Sequence, residues 1–227
     1  TFPKGKVEGS WRDGNCNGSL ALMSAPSGAG DSKIYTINGS REYLRLSEAI
    51  NRTPISETKT NLEIELRYPN KKQKKYPLVV IVPSSQGIEW YDEIATATEF
   101  RKLGYATLLV YSYRSRSVGG ESAEVGTTIN SPTVALDALY ALDEMKKIPK
   151  IDMNRTALYG ASKGSLSVEE TMIVLLGKDL PVFKIILSEN SNLCFDWSKH
   201  RLHKDVTLVV FTGGKDDSGT LRECVER

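Results

Sequence analysis

The chain has 227 residues, of which 30 are basic and 28 acidic, so its formal net charge at pH 7 is +2. Because the two signs nearly cancel, no large positive field is expected, and this argues against nucleic acid as the main partner. No apolar run reaches the roughly 18 residues of a bilayer-spanning helix, so we expect no membrane segment. The one dense basic cluster, Lys71-Lys72-Gln73-Lys74-Lys75, is interpreted as a solvated hairpin turn.

Residues 1–55 differ from the rest of the chain. They are rich in Gly, Ser and Asn, and they show a sustained period only in a short helical stretch at 41–50. We therefore predict an N-terminal extension at 1–55 that lies on a main domain at 56–227.

Strand-like and helix-like segments alternate along the main domain. Strands are predicted at 61–68, 78–82, 105–111, 156–159, 182–187 and 206–211, and helices at 92–103, 132–147 and 166–176. The continuous apolar run at 78–82 is typical of a strand that is buried on both faces of a parallel sheet. This order predicts an α/β fold, with helices on both faces of a mostly parallel sheet. Catalytic groups of such sheets collect at the carboxyl ends of the strands.

The segment Gly160-Ala161-Ser162-Lys163-Gly164 lies between a predicted strand and a predicted helix. In this G-x-S-x-G pattern the serine sits on a tight nucleophile elbow, and only small residues two positions away avoid a clash. The turn raises the hydroxyl above the sheet and aims free helix N–H groups at a developing oxyanion. The pattern also occurs in ordinary glycine-rich turns, but its strand-turn-helix context favours Ser162 as a nucleophile.

Two further strand exits carry groups that a serine nucleophile requires. In the loop 83–87, the N–H of Ser85 is predicted to form an oxyanion hole with the N–H of Lys163. Gln86 is the second choice there and a candidate substrate contact. In the loop 213–217, Asp216 lies 54 residues after Ser162, at the spacing expected for a carboxylate that orients a histidine base. Each loop alone is also typical of polar turns without function.

Four stretches together carry a specific resemblance: LGYATLLV at 103–110, YSYRSR at 111–116, DALYAL at 137–142 and IDMNRTALYGAS at 151–162. With them, residues 60–227 resemble the dienelactone-hydrolase-like branch of the α/β-hydrolase superfamily. The resemblance implies the α/β-hydrolase fold, with an eight-stranded sheet and a triad in the chain order nucleophile, acid, histidine. Ser162 matches the nucleophile and Asp216 the acid. Arg116 matches an arginine near the substrate pocket, with a surface ion pair as the alternative.

The base is the main departure from the family pattern. The chain has two histidines, His200 and His203, and both precede Asp216, whereas the resemblance implies a histidine after a further helix and strand. Because only 11 residues follow Asp216, we expect the chain to be part of a longer protein that supplies this histidine. Two alternatives stay open: His200 or His203 reaches the site from its crossover segment, or the protein is a non-catalytic relative. Lys163 and Ser165 also depart from the pattern, which leaves the substrate preference open.

The three cysteines, Cys16, Cys194 and Cys224, are not spaced as a zinc site. Relatives with cysteines at the positions of Cys194 and Cys224 can form a bridge at the site rim, so the resemblance implies a disulfide, with two buried thiols as the alternative. A disulfide would indicate an oxidising compartment, and hence a periplasmic or secreted protein rather than a cytoplasmic one.

Together these features predict a serine hydrolase that cleaves a small-molecule carboxylic ester or lactone by a Ser-His-Asp mechanism, with no cofactor and no metal. The alternatives are a peptidase of the related prolyl-oligopeptidase branch and a non-catalytic binding protein. The sequence leaves open the acyl and alcohol groups of the substrate and the oligomeric state.

Overall fold

The computed structural model describes residues 7–13, 16–22, 32–56, 58, 60–85, 87–88, 91–116, 129–190 and 199–211; of 7–13, 16–22 and 91–92 it describes only the backbone. Near the N-terminus, β1 (Val7–Asp13) and β2 (Cys16–Leu22) pair antiparallel as a separate two-stranded sheet.

Seven strands form the main sheet: β3 (Ser32–Asn38), β4 (Asn61–Arg67), β5 (Tyr76–Ile81), β6 (Ala106–Val110), β7 (Ile151–Ala161), β8 (Ile185–Glu189) and β9 (Thr207–Phe211). Their order is β3-β4-β6-β5-β7-β8-β9, with β3/β4 and β4/β6 antiparallel and the other neighbours parallel. The prediction of a mostly parallel sheet is confirmed. The predicted hairpin at the lysine cluster is wrong, because β6 lies between β4 and β5 and the connection passes over it.

Helices cover both faces of the main sheet, as predicted. They are α1 (Leu46–Asn51), α2 (Tyr91–Lys102), α3 (Ser131–Met145) and α4 (Lys163–Glu170), with a short 3₁₀ turn at Arg114–Arg116. Helix α2 packs on one face, through Ala97 and Phe100, whereas α1, α3 and α4 contribute to the larger core on the other face. Among the described residues, no helix combines the length and the apolar character that crossing a membrane requires.

Part of the predicted N-terminal extension belongs to the main sheet. Strand β3 pairs with β4 from Ser32 opposite Arg67 to Asn38 opposite Asn61, and its residues Tyr35 and Ile37 pack against the core. The division of the chain at residue 55 stays a prediction, although the sheet itself extends to the N-terminal side of it.

Helix α4 is shorter than the predicted helix at 166–176. Beyond it, the Val174 N–H donates to the Arg201 carbonyl and the His203 N–H donates to the Met172 carbonyl, both at 2.9 Å. The segment 171–174 is mostly β-branched, which lowers its helix propensity. The N–H groups of Met172 and Ile173 still donate three residues back, to the carbonyls of Glu169 and Glu170. Tighter turns and the bonds to the segment 201–203 therefore take the place of regular α-helical hydrogen bonds there.

Candidate active site

Ser162 lies at the turn between β7 and α4, and its backbone is strained. Its φ is 52° and its ψ is −121°, in a region that favours glycine, and a non-glycine residue held there costs about 1 to 3 kcal/mol. The Ser162 N–H donates to the Glu189 carbonyl of β8 at 2.9 Å, and the Ser162 carbonyl accepts the Ser165 N–H at 3.0 Å. The neighbouring strand and the first turn of α4 therefore hold this conformation, and the residue is exposed to solvent.

Gly160 and Gly164 make the turn possible. A Cβ atom at position 160 would lie 2.4 Å from the carbonyl oxygen of Gly164. A Cβ atom at position 164 would lie 2.8 Å from the carbonyl oxygen of Pro83. Backbone atoms close both positions and cannot rotate away, so the geometry is that of a nucleophile elbow.

Two backbone N–H groups near Ser162 are candidates for an oxyanion hole. Lys163 is the first residue of α4, where an N–H has no partner within the helix. The turn 84–87 is closed by the Gly87 N–H, which donates to the Ser84 carbonyl at 3.2 Å, so the Ser85 N–H is not used by that bond. Gln86 lies outside the described residues.

A cleft of about 500 Å³ opens beside Ser162 at the carboxyl edge of the sheet. The described residues that line it are Ser84, Ser85, Glu93, Ala95, Thr96, Tyr159, Ala161, Ser162, Glu189 and Asn190. They come from the exit of β5, from α2, and from the ends of β7 and β8. The cleft is therefore built where the predicted fold collects catalytic groups.

Two carboxylates in this cleft, those of Glu93 and Glu189, belong to no sequence motif. Glu93 is 2% exposed, and its Oε1 accepts the Ser84 N–H at 2.9 Å, which holds the turn 84–87. The Glu189 carboxylate accepts the hydroxyl of Tyr159. Glu189 follows the predicted strand 182–187 by two residues, a position that could have indicated it. Glu93 lies within a helix and gives no such signal.

Among the described residues, Tyr159 and Lys163 do not bring a free cation to the cleft carboxylates. Burial and the hydrogen bond to Glu189 raise the pKa of Tyr159, so this phenol stays protonated. Burial lowers the pKa of Lys163, whose Nζ donates to the Ile129 carbonyl at 2.7 Å. The ammonium next to the nucleophile in sequence is thus bound to backbone and is not part of the cleft lining.

Arg116 is not brought to Ser162. Its guanidinium is 2% exposed and forms an ion pair with Asp137 of α3, with Nη1 and Oδ2 2.7 Å apart. It also donates to the carbonyl oxygens of Ser112 and Ser40, each at 2.8 Å. This pair is buried, unlike the surface ion pair given above as the alternative to a substrate contact. The partly exposed carboxylate of Glu42 lies further away, 3.9 Å from the Nε of Arg116.

The two histidines lie away from the cleft. The His203 N–H donates to the Met172 carbonyl, so the segment that carries His200 and His203 runs beside the residues that follow α4. Ser162 precedes α4, whose eight residues span about 12 Å. The described lining of the cleft therefore contains neither histidine.

Besides Gln86, three predicted residues cannot be placed. Asp216, Cys194 and Cys224 lie outside the described residues. The acid of the triad and the disulfide stay predictions.

Comparison with protein-family models and with curated proteins finds no match. The fold is similar to that of a dienelactone hydrolase-like promiscuous phosphotriesterase from metagenomic libraries, with a TM-score of 0.59 and 18% identity, covering 86% of this chain and 74% of that one. It is similar to a protein from Klebsiella pneumoniae assigned as a dienelactone hydrolase, with a TM-score of 0.55 and 14% identity, covering 87% and 78%. An α/β hydrolase from Penicillium sp. sh18 has a TM-score of 0.51 and 14% identity, covering 72% and 47%.

At these identities the likeness shows the fold. The chain has the α/β-hydrolase fold, and its structural neighbours include proteins of the dienelactone-hydrolase-like branch that the sequence resembles.

Proposed function

We propose that this protein is a serine hydrolase that cleaves a carboxylic ester or lactone, with Ser162 as its nucleophile. The backbone of Ser162 carries the proposal. A positive φ at an exposed polar residue, held between a strand and a helix by two glycines that admit no Cβ, is strain of the kind found at functional sites. The structural neighbour assigned as a dienelactone hydrolase supports an ester or lactone substrate.

In the proposed reaction, the Ser162 Oγ adds to the carbonyl carbon of the substrate while its proton passes to a histidine. The carbonyl oxygen becomes an oxyanion that accepts hydrogen bonds from the N–H groups of Ser85 and Lys163. The imidazolium then protonates the leaving alkoxide as the carbon–oxygen bond breaks. Water, deprotonated by the same histidine, hydrolyses the acyl-enzyme and releases the acid.

The base in this proposal is neither His200 nor His203, because both lie beyond the far end of α4. We propose that a histidine from outside the 227 residues takes the proton and that Asp216 orients it. Glu93 has a positioning role, since its carboxylate fixes the turn that presents Ser85.

The test is labelling of the complete protein with a fluorophosphonate probe, followed by peptide mass mapping. We expect one adduct, on Ser162, and we expect Ser162→Ala to lose both the adduct and the hydrolysis of 4-nitrophenyl acetate. Ser84→Ala, which removes another hydroxyl from the same cleft, should keep the adduct on Ser162. An adduct on another residue, or undiminished hydrolysis by Ser162→Ala, would refute the assignment. Absence of both adduct and hydrolysis would favour the non-catalytic alternative.

A further inference from the structure

We propose that the Ser162 cleft selects esters that carry a positively charged ammonium group close to the reacting carbonyl. This adds a substrate class to the proposed function and rests on it. The juxtaposition of Glu93 and Glu189 in the cleft lining carries the inference.

The two carboxylates reach the cleft from different elements. Glu189 ends β8, and its carbonyl accepts the Ser162 N–H, so the two residues are direct neighbours across β7 and β8. Glu93 lies in α2, and its carboxylate accepts the N–H of Ser84, the residue before Ser85. Both glutamates therefore line the cleft in which Ser162 and Ser85 would hold the substrate carbonyl.

No described residue of the cleft lining is cationic. Lys163, which follows Ser162 in the chain, donates to the Ile129 carbonyl, and Arg116 pairs with Asp137. Neither of these two cations forms an ion pair with Glu93 or Glu189. A cleft lined by one sign of charge concentrates ligands of the opposite sign.

Glu93 gives the second, independent indication. The residue is 2% exposed, and its Oε2 has no hydrogen-bond partner among the described residues. A buried carboxylate oxygen without a donor is unfavourable, and most such groups have a partner. An ammonium group supplies both the charge and the N–H donors that this oxygen lacks.

Three ethyl esters of similar shape separate the contribution of charge. In β-alanine ethyl ester the terminal group is an ammonium, in ethyl butyrate it is a methyl, and in monoethyl succinate it is a carboxylate. Their binding to the Ser162→Ala protein is measured by calorimetry at pH 7 and low salt, so that no ester is consumed. We expect β-alanine ethyl ester to bind about tenfold more tightly than ethyl butyrate, monoethyl succinate to bind most weakly, and added salt to narrow the differences.

Substitutions then test which residues produce the preference. Glu93→Gln keeps an oxygen acceptor for Ser84, and either Glu93→Gln or Glu189→Gln should reduce the tenfold preference to about two- or threefold. Glu99→Gln is the matched control, because Glu99 lies on the exposed side of α2 and pairs with Lys102. It should leave the preference unchanged.

Equal binding of β-alanine ethyl ester and ethyl butyrate would overturn the inference, as would a preference that survives both cleft substitutions. If Glu93→Gln fails to fold, the affinities of Glu189→Gln and the salt dependence still show whether the cleft carboxylates produce the preference for the ammonium ester. These affinities do not depend on catalysis, so the charge preference stands or falls separately from the fluorophosphonate result. Hydrolysis without charge preference would refute the inference and leave the proposed function intact.

Discussion

At the scale of single residues, Glu170 is the most perturbed acid among the described residues. It ends α4 and is 4% exposed. The pKa of Glu170 is raised to about 8, mainly by burial. The hydroxyl of Ser131, which donates to Oε1 at 3.1 Å, opposes this rise, and the nearby charge of Glu169 adds to it. Glu170 is therefore protonated in the folded protein at pH 7.

We predict that Glu170 makes the folded state less stable as the pH rises. Between the ordinary value of 4.5 and about 8, the folded protein keeps a proton that the unfolded chain releases. Its contribution is complete below pH 4.5 and is lost progressively up to pH 8. Glu170→Gln stays neutral, so relative to the wild type it should gain up to about 1.4 kcal/mol of unfolding free energy per pH unit in this window.

Urea unfolding at pH 5.5, 7 and 8.5 checks this prediction. The difference between Glu170→Gln and wild type should grow with pH, whereas the exposed control Glu99→Gln should follow the wild type. Parallel pH profiles for wild type and Glu170→Gln would contradict the raised pKa.

At the scale of elements, one buried carboxylate joins three parts of the fold. Asp137 of α3 accepts the N–H of Ser40 at 2.8 Å and its hydroxyl at 2.7 Å, and it pairs with Arg116. Ser40 belongs to the connection between β3 and α1, and Arg116 to the 3₁₀ turn after β6. The network therefore fixes the exit of β6 and the start of the α1 connection onto α3.

Removing one partner of this network should be strongly destabilising. Asp137→Asn leaves the buried guanidinium of Arg116 with only the more distant carboxylate of Glu42, 3.9 Å from its Nε, as a counter-charge. We expect a loss at the lower end of about 3 to 5 kcal/mol in unfolding free energy. In the same helix, Asp143→Asn breaks an exposed pair with Lys146 and should cost less than about 1 kcal/mol. Urea unfolding measures both.

Kinetics separate this role of Arg116 from substrate binding. Arg116→Met should lower stability without a selective rise in KM for the esters that the protein cleaves. A raised KM at wild-type stability would restore Arg116 as a substrate contact.

The elements also show how far sequence patterns reach. The elbow at Ser162 was predictable because its steric requirement lies within five consecutive residues, Gly160 to Gly164. Strand β3 was not, because its pairing with β4 is set by a segment beyond α1. The end of α4 was missed for the same reason, since residues 171–174 pair with a distant segment. Glu93 and Glu189 line one cleft because the sheet order places β5, whose exit Glu93 contacts, beside β7 and β8.

At the scale of the whole molecule, the sheet crosses the boundary predicted at residue 55. A chain that begins at residue 56 lacks β3, Ser40 and α1, and it leaves one edge of β4 without a partner strand. A chain that begins at residue 32 keeps all three.

We therefore predict that the chain from residue 32 unfolds in one cooperative thermal transition and that the chain from residue 56 is strongly destabilised or aggregates. Circular dichroism during heating and size-exclusion chromatography distinguish the two results. Equal thermal midpoints for the two chains would instead support residues 56–227 as an independent domain.

The close approach of Gly164 to Pro83 links the motion of the two parts of the site, the turn that carries Ser85 and the elbow that carries Ser162. No side chain lies between the Pro83 carbonyl and the start of α4 to absorb a displacement. We therefore expect a shift at the exit of β5 to displace the start of α4, so that Ser85 and Ser162 move together. The distance between the hydroxyl of Ser162 and the N–H group of Ser85 should stay nearly constant while the surrounding surface fluctuates.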